Sequence, residues 1–563
     1  MKSDPLHRSS LILRTFFQKF DLFADAPDAV AKMRELVLEL AVTGRLVAQD
    51  KRDEPASSLL ESAEVERAKL VVARKIKARS TAPVEADEQP HELPSSWAWA
   101  RLSDVGYELG QKTPDARFTY IDVGAIDSDK GRISDRVEKL EPNEAPSRAR
   151  KLVMRGTVIY STVRPYLLNI AIVDQDFDPE PIASTAFGIL HPFSAINNRY
   201  LFYWLRSAPF TAYVLAGMKG MAYPAINDEK FYSGFIALPP LAEQKRIVAK
   251  VDELMALCDR LEAQQQERET RHVALARASL ARFADAPTPA NLQFLFHASY
   301  PIPPADLRKS ILTLAFVGKL VAQNPDDEPA SVLLEKARAE KTRLIEAGLV
   351  KREPWADKLQ DATTLYDLPP GWEWTHVSDV VEKVTVGFVG SMKEQYRDSG
   401  VPFLRCQNVR VNRYEPVGLT FISGEFHRSI VKSTLRPGDV VVTRSGNVGV
   451  TCVIPDNLPE ANCSDLVIVK RPIALIPSFL SYFINSIAAG QIEAKTVGIA
   501  LTHFNTQSVA QITVALPPLA EQRRIVAKVD QLLALVDQLE TQLAASCATA
   551  ANLLSALVAE LTA

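Results

Sequence analysis

The chain has 563 residues, of which 47% are hydrophobic and 24% are charged, and its formal net charge at pH 7 is -3. This length suits two to four globular domains. The composition is that of an ordinary soluble protein, and we expect no run of about 18 apolar residues that could span a membrane. The slightly acidic total excludes a uniformly basic nucleic-acid binder, so only local basic clusters could contact DNA. The five cysteines form no C-x-x-C pair, which favours reduced structural thiols in a cytoplasmic protein without a metal site.

The N-terminal part of the chain predicts helices that recur later. The segment MRELVLELAVTGRLVAQD at 33–50 matches LRKSILTLAFVGKLVAQN at 307–324, and both copies continue into DEPAS. Each segment predicts a helix that is closed by a glycine, Gly44 or Gly318. An additional apolar helix is expected at residues 11–23, and its packing stays open.

Two blocks of unlike sequence follow these helical regions. LPSSWAW at 93–99 opens the first block, and LPPGWEW at 368–374 opens the second. The W-x-W spacing places both indoles on one side of an extended segment. We interpret them as core anchors of a first strand, with stacking on nucleic-acid bases as the alternative. A turn that feeds an alternating strand is predicted in each block, at 155–165 and 436–449, so each block is interpreted as one α+β domain.

Basic side chains concentrate near the predicted turns of both blocks. Lys and Arg at turns can hold phosphates, and Arg, Asn and Gln in loops can read guanine and adenine edges in the major groove. A solvated basic surface is the alternative for any single residue. The candidate DNA-binding residues are Lys112, Arg148, Arg150, Lys151 and Arg164 in the first block, and Arg405, Gln407, Asn408, Arg410, Arg413, Arg428, Lys432, Arg444 and Asn447 in the second.

One stretch of 25 residues occurs twice and closes each block. LPPLAEQKRIVAKVDELMALCDRLE at 238–262 and LPPLAEQRRIVAKVDQLLALVDQLE at 516–540 differ at five positions. Paired prolines followed by a glutamate predict the first turn of a helix. Steps of three and four between apolar residues then predict a heptad seam. The seam residues are Ile247, Val251, Leu254, Cys258 and Leu261 in the first copy, and Ile525, Val529, Leu532, Val536 and Leu539 in the second.

A narrow apolar seam on a charged helix needs another helix to cover it. We interpret the two copies as partners in an intramolecular antiparallel coiled coil, because their other faces alternate in charge and are typical of solvated surfaces. The alternative is two amphipathic helices, each of which packs on its own domain.

The repeated pattern LPPLAEQxRIVxKVDxL, which closes a variable block each time, resembles the specificity subunit of type I restriction-modification enzymes, the HsdS family. The resemblance covers most of the chain. It implies a non-catalytic subunit with two target-recognition domains, separated by helices that also dock methyltransferase subunits. The implied partners are double-stranded DNA, two methyltransferase subunits and motor-nuclease restriction subunits. S-adenosylmethionine, ATP and Mg²⁺ would belong to those partners, and no cofactor is expected in this chain.

The predicted fold class is α+β, with a pseudo-two-fold internal repeat. Because the two blocks differ in sequence, the expected DNA target is bipartite and asymmetric. The predicted division is a helical region at 1–92, a target-recognition domain at 93–237, a spacer helix at 238–285, a central helical region with a linker at 286–367, a second target-recognition domain at 368–515 and a second spacer helix at 516–563.

Catalysis is the competing interpretation. The sequence contains no N/D-P-P-Y/F motif for amino methylation, no glycine-rich cofactor loop and no nucleotide-binding P-loop. Asp465 with Glu493 and Lys495 is only weakly similar to a metal-nuclease pattern and has no counterpart in the first block. A self-contained methyltransferase or nuclease is therefore disfavoured. A helical scaffold without DNA contact would leave the two basic blocks unexplained.

Overall fold

The computed structural model describes residues 13–14, 16–19, 22–23, 26, 28–77, 82–218, 224–297, 300–352, 366–458, 460–488 and 505–562. The chain divides into two compact units. One comprises Met1–Arg268 with Ala544–Ala563, and the other comprises Glu269–Leu543. Each unit therefore combines a helical region, one variable block and parts of two long helices.

The first unit places two helices before its variable block and a long helix after it. The elements are α1 (Ala29–Val42), α2 (Ala56–Val72), β1 (Ala98–Arg101), α3 (Leu102–Val105), β2 (Gly106–Tyr107), β3 (Phe118–Ile121), β4 (Ile126–Asp127), β5 (Arg132–Ile133), β6 (Glu138–Leu140), β7 (Ala149–Leu152), β8 (Val158–Ser161), β9 (Ile170–Ile172), β10 (Pro181–Ser184), β11 (Phe187–Pro192), α4 (Asn198–Leu205), α5 (Ala208–Gly217), α6 (Asp228–Tyr232), β12 (Phe235–Leu238) and the long helix α7 (Leu241–Asp285), which continues into the second unit.

The second unit repeats this order. Its elements are α8 (Pro289–Leu292), α9 (Pro304–Phe316), α10 (Ala330–Glu346), β13 (Glu373–His376), α11 (Val377–Val380), β14 (Val381–Val386), β15 (Tyr396–Arg397), β16 (Val401–Leu404), β17 (Val409–Arg410), β18 (Arg413–Tyr414), β19 (Thr420–Ile422), α12 (Gly424–Ser429), β20 (Val440–Thr443), β21 (Thr451–Val453), β22 (Asn462–Cys463), β23 (Leu466–Pro472), α13 (Pro477–Phe483), α14 (Thr506–Ala510), β24 (Thr513–Leu516) and the long helix α15 (Leu519–Thr562), which ends in the first unit.

The first and last strands of each block pair with each other. Strand β1 runs antiparallel to β12, and β13 runs antiparallel to β24. Two prolines follow each closing strand, where they end the strand ladder and suit the start of a helix. Each block is therefore closed at the point where its long helix begins.

The inner strands of the two blocks share one arrangement. In the first block β10 is parallel to β3, and β11 is antiparallel to β8. In the second block β22 is parallel to β16, and β23 is antiparallel to β20. The buried segments Val158–Ser161 and Val440–Thr443 therefore occupy equivalent places. The mixed helix and sheet content agrees with the predicted α+β class.

The seam residues of each long helix are buried in the core of their own unit. Ile247, Val251, Leu254 and Cys258 share a core with residues of α1, and the four equivalent residues of α15 share a separate core with residues of α9. Leu261 and Leu539 pack at the edges of these two cores. The predicted burial is therefore confirmed. The two seams lie in separate cores, and the antiparallel coiled coil of the two long helices stays a prediction.

Polar contacts show which helix lies against each seam. Arg34 of α1 donates hydrogen bonds of 2.7 Å to Asp259 and to Glu262. Arg308 of α9 donates hydrogen bonds of 2.6 Å to Asp537 and Glu540. An apolar stripe needs an apolar partner but does not specify which one. The repeated helices α1 and α9 supply apolar partners for the two seams.

A few residues near the far ends of the long helices are also buried. Ala550 and Leu554 of α15 belong to the first core, and Ala276 and Phe283 of α7 belong to the second. Over Leu519–Glu560, α15 is long and apolar enough to cross a membrane by length and composition, contrary to our expectation from the sequence. A helix with an apolar face that packs on protein meets the same criterion.

The tryptophans that open the blocks are core residues. Trp97 and Trp372 are buried, and Trp99 makes edge contacts with Trp204 and Phe235. The core-anchor interpretation is confirmed, and the alternative of base stacking is wrong for this pair in the first block. In the helix expected at residues 11–23, the described residues 13–14 and 16–18 are helical, and Leu13, Phe16 and Phe23 are buried in the first core.

Candidate nucleic-acid interface

A buried glutamine joins each block to its long helix. Gln244 donates a hydrogen bond to the Pro239 carbonyl at 2.9 Å and accepts one from the Asn197 backbone N–H at 2.9 Å. Gln522 accepts from the Ile476 N–H at 2.9 Å and donates to the Ala474 carbonyl at 3.0 Å. A buried amide with both ends satisfied fixes the geometry around it. The repeated AEQ motif therefore sets how each block is held on its helix.

A carboxylate further along each helix strengthens this joint. In the first unit Asp252 accepts a hydrogen bond from Arg199 at 2.9 Å and another from the Tyr203 hydroxyl. In the second unit Asp530 accepts from the Tyr482 hydroxyl. Burial, together with the neighbouring carboxylate, raises the pKa of Tyr203. Both tyrosines therefore stay protonated donors at neutral pH.

An arginine of each long helix binds the DEPAS segment of its own unit. Arg246 pairs with Asp53 at 2.6 Å, and Arg524 pairs with Asp327 at 2.7 Å. These contacts give the repeated charged residues a structural role. The sequence analysis missed them, although identical polar residues in two copies of a motif were the available signal.

Four turns of the first block form a cleft of about 580 Å³. Arg148 and Arg164 line it, as do Asp122, Asn169 and Thr185. The Thr185 backbone N–H donates to the Arg148 carbonyl at 2.8 Å, which ties two of the turns together. The cleft therefore collects two predicted DNA-binding arginines, together with polar side chains that the sequence analysis did not single out.

The turn that carries Arg164 has an unusual backbone. Arg164 and Leu168 have φ values of 48° and 51°, in the left-handed region that non-glycine residues rarely adopt. The Arg164 N–H donates to the Pro224 carbonyl at 2.8 Å, which holds the turn in place. Tyr166 and Leu167 are about half exposed at its tip. Such strain is concentrated at functional sites.

The other residues predicted to bind DNA in the first block are less available for such a contact. Lys151 is buried, and its ammonium group pairs with Asp228 at 2.9 Å and with Glu108 at 3.4 Å. Its interpretation as a DNA contact is therefore corrected to a structural ion pair. Lys112 pairs with Asp115 and Glu180, and the half-buried Arg150 donates to the Ala149 carbonyl. Arg148 and Arg164 remain the exposed basic residues of this set.

In the second block, Arg405 and Gln407 lie on one turn. Their side chains both donate to the Gly418 carbonyl, at 3.2 and 2.8 Å. The Arg405 guanidinium also lies 5.6 Å from the centre of the Tyr396 ring. Asn408 is buried and bonds the Glu415 carbonyl and the Arg405 N–H. Asn408 therefore shapes the turn, and its interpretation as a base-reading residue is wrong.

A second turn of this block meets the first. Cys406 Sγ lies 3.5 Å from Ser445 Oγ, and the Ser445 hydroxyl donates to Asp465 at 2.8 Å. Arg444 pairs with the same carboxylate at 3.5 Å. Three turns therefore converge here, much as turns converge in the first block. Of the other predicted residues, Arg410, Arg413 and Asn447 are exposed on these turns or the neighbouring hairpin, and Arg428 and Lys432 are exposed on α12 and the turn that follows it.

Comparison with known proteins identifies the family. A family model described as the type I restriction modification DNA specificity domain matches residues 137–269 and 369–546, more than half of the chain. The chain belongs to this family. The resemblance to type I specificity subunits, drawn from the repeated motif, is thereby confirmed.

Individual relatives of this specificity subunit match almost the whole chain. It is 27% identical to the type I restriction enzyme EcoEI specificity subunit of Escherichia coli, across 99% of this chain and 97% of that one. It is 28% identical to the EcoAI specificity subunit of the same species, across 93% and 91%. The crystal structure of the HsdS subunit from Thermoanaerobacter tengcongensis covers 84% of this chain and 98% of its own, with 26% identity and a TM-score of 0.43.

The two repeats of this specificity subunit differ at one buried carboxylate. Glu521 accepts hydrogen bonds from Trp372 at 2.9 Å and from Gln323 at 2.6 Å. Neither oxygen of the equivalent Glu243 has a hydrogen-bond partner within the part of the chain that the structure describes. Burial raises the pKa of Glu243 to about 7, against smaller opposing effects of Trp97 and Arg246.

We expect Glu243→Gln to stabilise the protein above pH 7. A carboxyl whose pKa rises on folding takes up a proton, so its contribution to stability falls as the pH rises from about 4.3, its unfolded value, to the folded value. Removing the charge should therefore recover about 1 to 2 kcal/mol at pH 8, after allowance for solvent screening, and little at pH 4.5. Thermal unfolding at both pH values measures this difference.

The matched control for this prediction is Glu521→Gln. Burial raises the pKa of Glu521 as well, but the two N–H donors oppose this effect, so we expect a smaller gain from its replacement. An equal gain from Glu243→Gln at pH 4.5 and pH 8 would contradict the raised pKa of Glu243.

Proposed function

We propose that this specificity subunit reads a bipartite, asymmetric DNA site, with one half-site contacted by each variable block. The observation that carries the proposal is the convergence of turns at equivalent strand ends of both blocks. Arginine and amide side chains are exposed there, at the cleft of Arg148 and Arg164 and around Arg405 and Gln407. Such side chains can bind phosphates and read base edges in the major groove.

The long helices are proposed to set the distance between the half-sites. Helix α7 has 45 residues and α15 has 44, and each begins in one unit and ends in the other. At about 1.5 Å per residue, each is about 65 Å long. The burial of Ala550 and Leu554 in the first core, and of Phe283 in the second, supports antiparallel pairing of the helices beyond their seams.

The chemistry of modification and cleavage is assigned to partner proteins. We propose that two methyltransferase subunits dock on the helices and bring S-adenosylmethionine, and that restriction subunits bring ATP- and Mg²⁺-dependent cleavage, in the cytoplasm. Family membership and the lack of catalytic motifs in the sequence support this division. The chain itself then selects where its partners act.

Exchanging residues 93–237 with the same block of a relative should change one half-site only. Strands β1 and β12 pair at the two ends of this block, so both junctions lie next to each other and the exchange leaves the long helix intact. The second half-site and the spacing should stay as they were. Sequencing the methylated sites of the reconstituted complex measures both half-sites.

The control is the purified chain alone, which should neither methylate nor cleave DNA. A change in both half-sites after the exchange would mean that the blocks do not read DNA independently. If the methylated sites stay the same after the exchange, the exchanged block does not read the DNA sequence.

A further inference from the structure

Strand register assigns equivalent residues to the recognition turns of the two blocks. Ile121 ends β3 opposite Ala183 of the parallel strand β10, and Leu404 ends β16 opposite Cys463 of β22. A single 3-10 turn follows each strand end, Val123–Ala125 or Cys406–Asn408. Asp122 and Arg405 immediately precede these turns as their N-cap residues. These two side chains therefore occupy equivalent positions in the two blocks.

The backbone hydrogen bonds of the two turns support this equivalence. The Ala125 N–H donates to the Asp122 carbonyl at 2.9 Å, and the Asn408 N–H donates to the Arg405 carbonyl at 2.8 Å. The next turns also correspond, because Ser161 pairs with Phe187 where Thr443 pairs with Leu466. The pairing therefore places Thr162 and Arg444 at equivalent positions too.

The two equivalent residues have opposite hydrogen-bonding chemistry. An ionised aspartate only accepts hydrogen bonds, and an arginine only donates them. Asp122 lines the cleft with Arg148 and Arg164. Arg405 is partly exposed, and its guanidinium donates to the Gly418 carbonyl at 3.2 Å, while its Nε atom is buried and has no hydrogen-bond partner within the part of the chain that the structure describes. A shared scaffold thus presents an acceptor in one block and a donor in the other.

We propose that Asp122 and Arg405 are specificity-determining residues at one equivalent position, Asp122 selecting cytosine and Arg405 selecting guanine. The proposal rests on the proposed function of the blocks as DNA readers. Cytosine N4 donates to carboxylates, whereas guanine O6 and N7 accept from arginine. A carboxylate also repels the acceptor edges of guanine and thymine, which excludes the wrong bases.

Asp122 also has a structural neighbour. Burial raises the pKa of Tyr120, and its hydroxyl interacts with both Ser184 and Asp122. A purely structural Asp122 would only hold this hydroxyl. Asp122→Asn keeps an acceptor for Tyr120, so this variant separates the structural role from base selection.

The test uses the full chain in complex with its methyltransferase subunits. The complexes methylate a DNA library that is randomised across the recognition site, and the methylated molecules are sequenced. In Asp122→Asn, we expect one position of the first half-site to lose about 10-fold to 100-fold of its preference for cytosine, because the asparagine amide pairs with adenine instead. The second half-site and the gap should be unchanged. In Arg405→Gln, one guanine of the second half-site should lose its preference instead.

Asp176→Asn is the matched control in the first block. Asp176 is exposed, pairs with Arg155 and does not line the cleft, so its replacement should leave the site unchanged. An Asp122→Asn complex that is active and keeps the wild-type base preference at every position overturns the proposal. If that complex is inactive, its binding affinity is measured for DNAs substituted at each position of the site. An equal loss of affinity for every DNA sequence also overturns the proposal.

Failure of this inference can be told apart from failure of the proposed function. If the wild-type half-site follows the exchange of residues 93–237 and Asp122→Asn keeps the motif, only the assignment of Asp122 fails. If the half-site does not follow the exchange, the block itself is not the reader.

Discussion

Leu254→Ala will lower the stability of the first unit, and Leu532→Ala will lower that of the second, by about 2 to 5 kcal/mol each. Both side chains are buried, at 3% and 0% exposure, in separate cores. Removing a buried leucine loses its transfer free energy and leaves a cavity. Hydrogen exchange of the helices that cover the seams, α1 for Leu254 and α9 for Leu532, measures each effect.

The double variant distinguishes the two interpretations of the seam. Substitutions at residues without shared partners change the free energy of unfolding additively, within about 0.3 to 0.5 kcal/mol. We therefore expect no coupling between Leu254 and Leu532. Leu535→Ala is the control on the same helix as Leu532. Because Leu535 is 38% exposed, its truncation should lower the stability far less. A coupling energy well above the additive limit would show that the seams pack on each other.

Inserting four residues after Arg268 and four after Leu543 will move the recognised half-sites apart. These positions are where α7 and α15 pass from one unit to the other. Each insertion adds about 6 Å of helix and a rotation of about 40°, because four residues are slightly more than one turn. B-DNA rises about 3.4 Å per base pair, so the gap should grow by one or two base pairs. Methylation of the original site should be lost.

The half-site sequences themselves should not change in this double insertion. Sequencing of methylated sites reports both the sequences and the gap. Insertion into α7 alone is the control, because it shifts one helix against the other and should abolish methylation. An active double insertion with the original gap would mean that another element sets the spacing.

Much of the fold could be predicted from sequence because its signals are local. The heptad steps predicted the burial of residues such as Val251 and Val529, and the paired prolines predicted where the long helices begin. Two near-identical stretches established the duplication and the family resemblance. Periodicity and helix-start residues act within a few turns of chain, so a sequence reveals them directly.

Only the tertiary structure decided which surfaces meet. An apolar seam can be covered by any apolar helix, and each seam shares its core with α1 or α9 as well as with residues from the far end of the other long helix. Charge was equally ambiguous, since Lys151 is sequestered in an ion pair while Arg148 lines a cleft. Asp122 joins that cleft because the parallel pairing of β3 and β10 brings distant turns to one edge. Strand order depends on contacts between segments far apart in the chain, and local sequence patterns do not encode those contacts.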